Sequence, residues 1–282
     1  MPYLKVGQEN SGAIRIYYED HGRGAPVVLV HGYLLNGRSW EKQEAALLAA
    51  GYRVITYDRR GFGASSRPSA GYDFDTLAAD LGTVLDHLDL RDTVLAGFCS
   101  GTGEVIRYLA DRGPERVRAA VLIAPLPLFL PRAGDNSDGP GRDVLDEFIR
   151  QIVADRPAAA KTFLDQSYNI DLLGGTRVSD QAWQNSFHVA IGASAAAVRG
   201  CAAAWVEDFR ADLARIAVPV LVVQGGQDRI MSLGATGDRL PGLLGSARHV
   251  RIPDGPHALI WTHADEVNQA LLGFIQALVP PG

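Results

Sequence analysis

The sequence predicts an α/β fold with a mostly parallel sheet and one helical insertion. Three observations predict it. Short continuous apolar runs recur along the chain, helical apolar periodicity fills the gaps between them, and over residues 126–215 the apolar runs stop. Strands that alternate with helices imply βαβ units with right-handed crossovers. A length of 282 residues suits one large α/β domain with an insertion better than two full domains.

Taken in order, Ala13–Asp20 (AIRIYYED) alternates apolar and polar residues, as a half-buried antiparallel strand does. His21–Gly24 reads as a turn. Pro26–Val30 (PVVLV) is a continuous apolar run, the mark of a strand covered on both faces. Arg53–Tyr57, Thr93–Gly97, Ala119–Ala124, Val218–Gln224 and Ala247–Ile252 repeat that pattern. Helical spacing marks Thr76–Leu88, Gly103–Arg112 and Ala264–Leu278. After the Gly/Asp/Pro-rich link Ala133–Gly141, the patterns at Val144–Ala154 and Ala158–Ser167 are helical too. The expected division is a core of residues 1–125 and 216–282 with a helical cap over 126–215. The aromatics Phe163, Tyr168, Trp183, Phe187 and Trp205 are expected to form the core of that insertion, with one or two left to line a pocket against the sheet.

Composition excludes several classes. A 47% hydrophobic and 21% charged chain is an ordinary soluble protein with a sizeable core. A net charge of −5 and the lack of any basic run argue against nucleic acid or an anionic membrane as partner. The start, MPYLKVGQEN, has no apolar signal-peptide core. The longest apolar stretch, Ala120–Pro131, falls short of the roughly 18–20 residues of a membrane span. Two cysteines, Cys99 and Cys201, make no disulfide framework, so free thiols in a cytoplasmic setting are expected. No C-x-x-C or H-E-x-x-H motif suggests a metal, the Gly61/Gly63 turn lacks dinucleotide spacing, and no cofactor is expected.

Gly97–Gly101 (GFCSG) ends a strand and opens a helix, the setting of a G-x-S-x-G nucleophile elbow with cysteine in the serine place. A tight strand-to-helix turn lifts one side chain above the sheet, and the helix N-terminus favours an anion there, as a reactive thiolate needs. Ser100 is not a substitute nucleophile. A frame centred on it needs glycine at 98 and 102, where Phe98 and Thr102 stand, and one step along a helix turns a side chain by about 100°. Its backbone N–H is instead a candidate oxyanion donor.

Asp228 (GGQD) follows Val218–Gln224, and His257 (DGPH) follows Ala247–Ile252. The order nucleophile, acid, histidine, each past the carboxyl end of a parallel strand, is that of the α/β-hydrolases. His257 would take the thiol proton and later serve the leaving group or the attacking water, while Asp228 would hold the imidazole tautomer. His21, His87, His188, His249 and His263 lack that setting. His31 lies with Gly32 and Tyr33 in the loop after Pro26–Val30 and reads as a structural hydrogen-bonding residue; the Tyr33 N–H is the second candidate oxyanion donor.

Five blocks carry a closer likeness. VHGYLLNGRSWEKQ, YDRRGFGASSRP, GFCSGTGEVIRY, FRADLARIAVPVLVVQGGQDRI and DGPHALIWTHADEVN resemble the α/β-hydrolases known as cofactor-free (non-haem) chloroperoxidases, perhydrolases and aryl esterases, over nearly the whole chain. The resemblance implies an α/β-hydrolase fold with an eight-stranded, mostly parallel sheet, a helical cap, and a Ser-His-Asp triad acting on small esters. It also exposes two departures. Family members carry serine where this chain has Cys99, and many carry proline where it has Leu34. That proline is associated with perhydrolysis, so Leu34 points to acyl transfer to water.

Three readings of Cys99 stand side by side: a native Cys-His-Asp nucleophile, an introduced Ser→Cys change in a serine esterase or perhydrolase, and a site without a nucleophile, as in a lyase with His257 as base or a ligand-binding protein. The leading expectation is a cofactor-free acyl hydrolase of esters, lactones or thioesters that works through an acyl-enzyme. An acyltransferase or a biosynthetic cyclase or lyase is the alternative. Leu34, Phe98, Leu126 and Phe129 are the expected pocket residues beside the elbow. The expected partner is a small acyl substrate, with no nucleic acid and no membrane, and a homo-oligomer is left open.

Overall fold

The computed structural model describes residues 2–126 and 142–278. Eight strands form one sheet: β1 (Tyr3–Glu9), β2 (Gly12–His21), β3 (Pro26–Val30), β4 (Arg53–Asp58), β5 (Thr93–Phe98), β6 (Val117–Ile123), β7 (Val220–Gly225) and β8 (Ala247–Ile252), in the order β1-β2-β4-β3-β5-β6-β7-β8. β2 pairs antiparallel with β1 and β4, and every other pairing is parallel. β5 and β7 are buried along their whole length, which is why they read as unbroken apolar runs.

Helices flank the sheet. α1 (Glu41–Ala49) packs with α11 (Ala264–Leu278), and α2 (Phe74–His87) with α3 (Ser100–Arg112); α10 (Leu259–Thr262) leads into α11. Between β6 and β7 lie α4 (Arg142–Ala154), α5 (Arg156–Tyr168), α6 (Ile170–Leu173), α7 (Asp180–Gly192), α8 (Ala195–Ala204) and α9 (Arg210–Leu213). No single helix among the described residues is long and apolar enough to cross a membrane.

The structure departs from the residue pattern in four places. β1 escapes a periodicity reading because a register shift between Lys5 and Gly7 breaks its alternation. α1 escapes it because the helix buries only Gln43 and Leu47 and so presents no apolar stripe. β8 is not covered on both faces: it is an edge strand, and its arginines Arg248 and Arg251 stand outward. His21 belongs to β2, paired with Val54, rather than to the turn that follows.

Candidate active site

The carboxyl ends of β3, β5, β7 and β8 share one edge of the sheet. From them run the Gly32–Tyr33 loop, the Cys99 elbow, the Asp228 turn and the His257 loop. Cys99 sits between β5 and α3 with φ 51 and ψ −122, a backbone state that L-residues avoid and that costs about 1–3 kcal/mol. Its N–H donates to Ile123 O (3.0 Å), and its carbonyl accepts from the Thr102 N–H (3.0 Å) and hydroxyl (2.6 Å). The flanking glycines make the turn possible. A Cβ on Gly97 would come within 2.7 Å of Gly101 O, and one on Gly101 within 2.4 Å of Val30 O.

The structure brings Asp228 and His257 together. His257 Nδ1 lies 2.8 Å from Asp228 Oδ2. The same oxygen accepts from Gln224 Nε2 at 3.1 Å, and Oδ1 accepts from the Ile230 and Met231 N–H groups, each at 2.8 Å. Gln224 is buried and is itself held by the Met231 carbonyl and the Thr236 hydroxyl. The two loops are tied directly by Gly226 N–H to Ile252 O (2.8 Å) and Gln227 N–H to Gly255 O (2.9 Å). The other His257 ring nitrogen, Nε2, is buried with no hydrogen-bond partner. Burial disfavours a charged imidazole here, but the Asp228 carboxylate and the neighbouring Cys99 outweigh it and raise the His257 pKa to about 10.

The loop after β3 closes over the same point. A Cβ on Gly32 would fall 3.1 Å from the Cys99 Cβ, so Tyr33 leaves the loop beside the nucleophile position. His31 is buried beneath it. Burial and the Arg59 charge hold it far below the usual histidine range, so it is neutral: Nδ1–H donates to Gly32 O (2.8 Å) and Nε2 accepts from the Arg59 N–H (3.0 Å). The Ser100 hydroxyl is buried and accepts from Arg59 Nη1 at 2.8 Å, which keeps it in a supporting position.

A cavity at Cys99 is lined by Tyr33, Leu35, Phe98, Phe163, Leu164, Ser167, Tyr168, His257 and Ala258, with about 20 Å³ open to a water-sized sphere, room for about one water. Phe98 and Tyr33 therefore border it. Leu34 and Leu126 are buried but are not among its lining residues, and Phe129 lies outside the described residues. Phe163 and Tyr168 are the insertion aromatics that reach it, while Trp183 and Phe187 stack on each other with centroids 5.2 Å apart. Sequence reasoning missed Leu164 and Ser167, whose place depends on how α5 docks: Ala258 N–H donates to Ser167 O (2.8 Å) and Asn169 Nδ2 to Gln227 O (2.9 Å). Among the described residues, no group of three or more His, Cys, Asp or Glu side chains is placed to hold a metal ion.

This geometry has relatives. The family model for the alpha/beta hydrolase fold matches residues 25–264. The chain belongs to the α/β-hydrolase fold family. It is 56% identical over 276 residues, 98% of this chain and all of the relative, to a Synechocystis sp. protein provisionally named a non-heme chloroperoxidase. A bifunctional esterase/perhydrolase of Acinetobacter calcoaceticus is 30% identical over 94% of this chain and 97% of its own length. Among solved structures, a bromoperoxidase from Bacillus anthracis superposes with a TM-score of 0.92 at 38% identity, covering 97% of this chain and 99% of that one. The chain is thus an α/β-hydrolase-type enzyme of the non-haem chloroperoxidase-like family.

Proposed function

We propose that this α/β-hydrolase is a cofactor-free acyl hydrolase of small carboxylic esters, lactones or thioesters, with Cys99 as nucleophile. The observation that carries the reading is the strained Cys99 at the elbow, in one cavity with a buried, hydrogen-bonded His257–Asp228 pair. His257 Nε2 takes the Cys99 thiol proton as the sulfur attacks the acyl carbon, and the carbonyl electrons move onto oxygen, which the Tyr33 and Ser100 N–H groups receive. Losing one such donor costs roughly 3–4 kcal/mol of transition-state stabilisation. As the tetrahedral adduct collapses, the leaving alkoxide takes the proton from His257 Nε2 and a thioester remains. Neutral His257 then draws a proton from water, which attacks the thioester, and the thiol is regenerated. Asp228 keeps Nδ1 protonated through both steps.

The activities named for the Acinetobacter relative differ only in the acceptor of the acyl group, water or peroxide. Leu34 in the oxyanion loop, where many relatives are expected to carry proline, supports water. The sulfur itself favours one further reading, acyl transfer to an amine or thiol acceptor, since thioesters react readily with both.

Intact mass after incubation with a panel of activated esters tests the reading in the parent, Cys99→Ala and Cys99→Ser proteins. An acyl adduct on the parent, absent from Cys99→Ala, is expected along with turnover. No adduct and no turnover, with Cys99→Ala behaving like the parent, overturns it. Product that forms only when an amine or thiol is supplied selects the transfer reading. A large gain for Cys99→Ser marks a scaffold shaped for serine, and a loss marks one shaped for cysteine.

A further inference from the structure

We infer that Arg59 is a positioning residue that sets the spacing of the two candidate oxyanion amides, a role that rests on the reading of Cys99 as nucleophile. Arg59 is 1% exposed, deep between β4 and the elbow. A guanidinium is costly to bury, so where its donors go is informative. Nη1 donates to His31 O (3.0 Å) and to Ser100 Oγ (2.8 Å). His31 O belongs to the peptide that enters Gly32–Tyr33, and Ser100 follows Cys99 directly. One nitrogen thus spans the two chain segments that carry the Tyr33 and Ser100 N–H groups. The Arg59 backbone N–H adds a second grip on the same loop through His31 Nε2.

The rest of the fork faces other elements. Nε lies 3.3 Å from Glu104 Oε2 on α3 without a hydrogen bond between them, and Nη2 lies 3.8 Å from Cys201 Sγ on α8. A second link runs in parallel, since the Tyr33 hydroxyl donates to the Val198 carbonyl of the same helix at 2.9 Å. The planar fork is what allows one side chain to hold three directions at once; a lysine ammonium at the end of a flexible stem does not reproduce it. Without the bridge the loop and the elbow keep their own folds but lose their mutual distance, and oxyanion stabilisation is sensitive to that distance.

The test compares the parent with Arg59→Lys, Ser100→Ala and the double variant in three measurements. Turnover of p-nitrophenyl acetate and binding of trifluoroacetone, which forms a tetrahedral adduct with a thiolate, both use the oxyanion donors. Alkylation of Cys99 by iodoacetamide displaces iodide directly and does not. Arg59→Lys is expected to lower kcat about 10- to 100-fold and to weaken trifluoroacetone by a similar factor, with KM and alkylation rate changed no more than about twofold. Ser100→Ala is expected to lose about 3- to 10-fold alone and nothing further in the Arg59→Lys background.

Unchanged kcat and trifluoroacetone affinity in a folded Arg59→Lys protein overturn the proposal. So does a parallel fall of kcat, alkylation and thermal midpoint, which marks a purely structural residue. If Arg59→Lys does not fold, Ser100→Ala decides alone: the first two measurements must fall while alkylation holds. Failure of the nucleophile reading shows separately, in the parent, as full turnover after Cys99 has been alkylated.

Discussion

Asp228 Oδ2 is shared: His257 Nδ1 approaches it at 2.8 Å and Gln224 Nε2 at 3.1 Å. The acid is therefore aimed by a side chain from the end of β7 and not only by its own turn. Asp228→Asn presents an amide where the ring needs an acceptor, and a loss of roughly 10³- to 10⁴-fold in kcat is expected. Gln224→Met keeps the volume but removes the hydrogen bond, and about a tenfold loss in kcat with an unchanged KM is expected. Steady-state kinetics on the two purified variants checks both. An inactive Gln224→Met protein, or one as active as the parent, contradicts the aiming role.

The two chemical steps are expected to titrate differently. In the free enzyme burial works against the His257 charge, yet Asp228 and the neighbouring Cys99 hold the proton until about pH 10. Acylation spends that proton on the leaving group, so its rate is lost as pH rises through about 10. In the acyl-enzyme of the proposed mechanism the sulfur is a thioester, and the Cys99 contribution that favours imidazolium is gone. Neutral His257, the base for deacylation, then appears at lower pH than in the free enzyme. Stopped-flow bursts with p-nitrophenyl acetate separate the steps across pH. Deacylation must rise with pH before acylation falls, and a single ionisation common to both steps contradicts a Cys99 contribution to the His257 pKa.

The chemistry-bearing positions were readable because they depend on local pattern. Cys99 and Asp228 each follow a strand buried along its whole length, His257 follows the edge strand β8, and a parallel sheet brings those ends to one edge. His31 was readable as a structural residue for the same reason. What lay beyond reach is tertiary. Arg59 finds Ser100 across 41 positions, and Gln224 looks like any polar residue at a strand end until Asp228 is seen beside it. The cavity wall made by Leu164 and Ser167 depends on how α5 docks, which no periodicity specifies. β1 and α1 escaped because a bulge and a nearly unburied helix leave no regular apolar period.

Glu104 gives the fold a pH dependence of its own. Burial raises its pKa to about 7 against the opposing pull of Arg59 and the Tyr57 hydroxyl. In the unfolded chain the ordinary value is 4.5. A carboxyl raised on folding contributes stability that is fully present below pH 4.5 and lost as pH rises through about 7. The loss amounts to about 3–4 kcal/mol, since one pKa unit is about 1.4 kcal/mol. Glu104→Gln removes the ionisable group and is expected to abolish that part of the slope. Urea unfolding of both proteins between pH 4.5 and 8 reads it directly, and parallel stability curves contradict it.

Leu34 holds φ at +64, in the left-handed region, one residue past the Tyr33 amide that we assign to the oxyanion. Proline is locked near φ −65 and also pushes the residue before it towards extended backbone. Leu34→Pro therefore cannot keep the present loop. The peptide joining Tyr33 to Leu34 must rotate, and Tyr33 must shift with it, while Arg59 still holds the loop at His31 O. The expected result is about a tenfold lower kcat for ester hydrolysis, because the donor is displaced but not deleted. Because the family resemblance associates proline here with perhydrolysis, the ratio of peracid formation to hydrolysis in hydrogen peroxide is expected to rise. Assay of acid and peracid products from one ester, with the thermal midpoint followed alongside, checks both. A folded Leu34→Pro enzyme with the parent's kcat and product ratio means that the left-handed turn at this position does not control the Tyr33 donor.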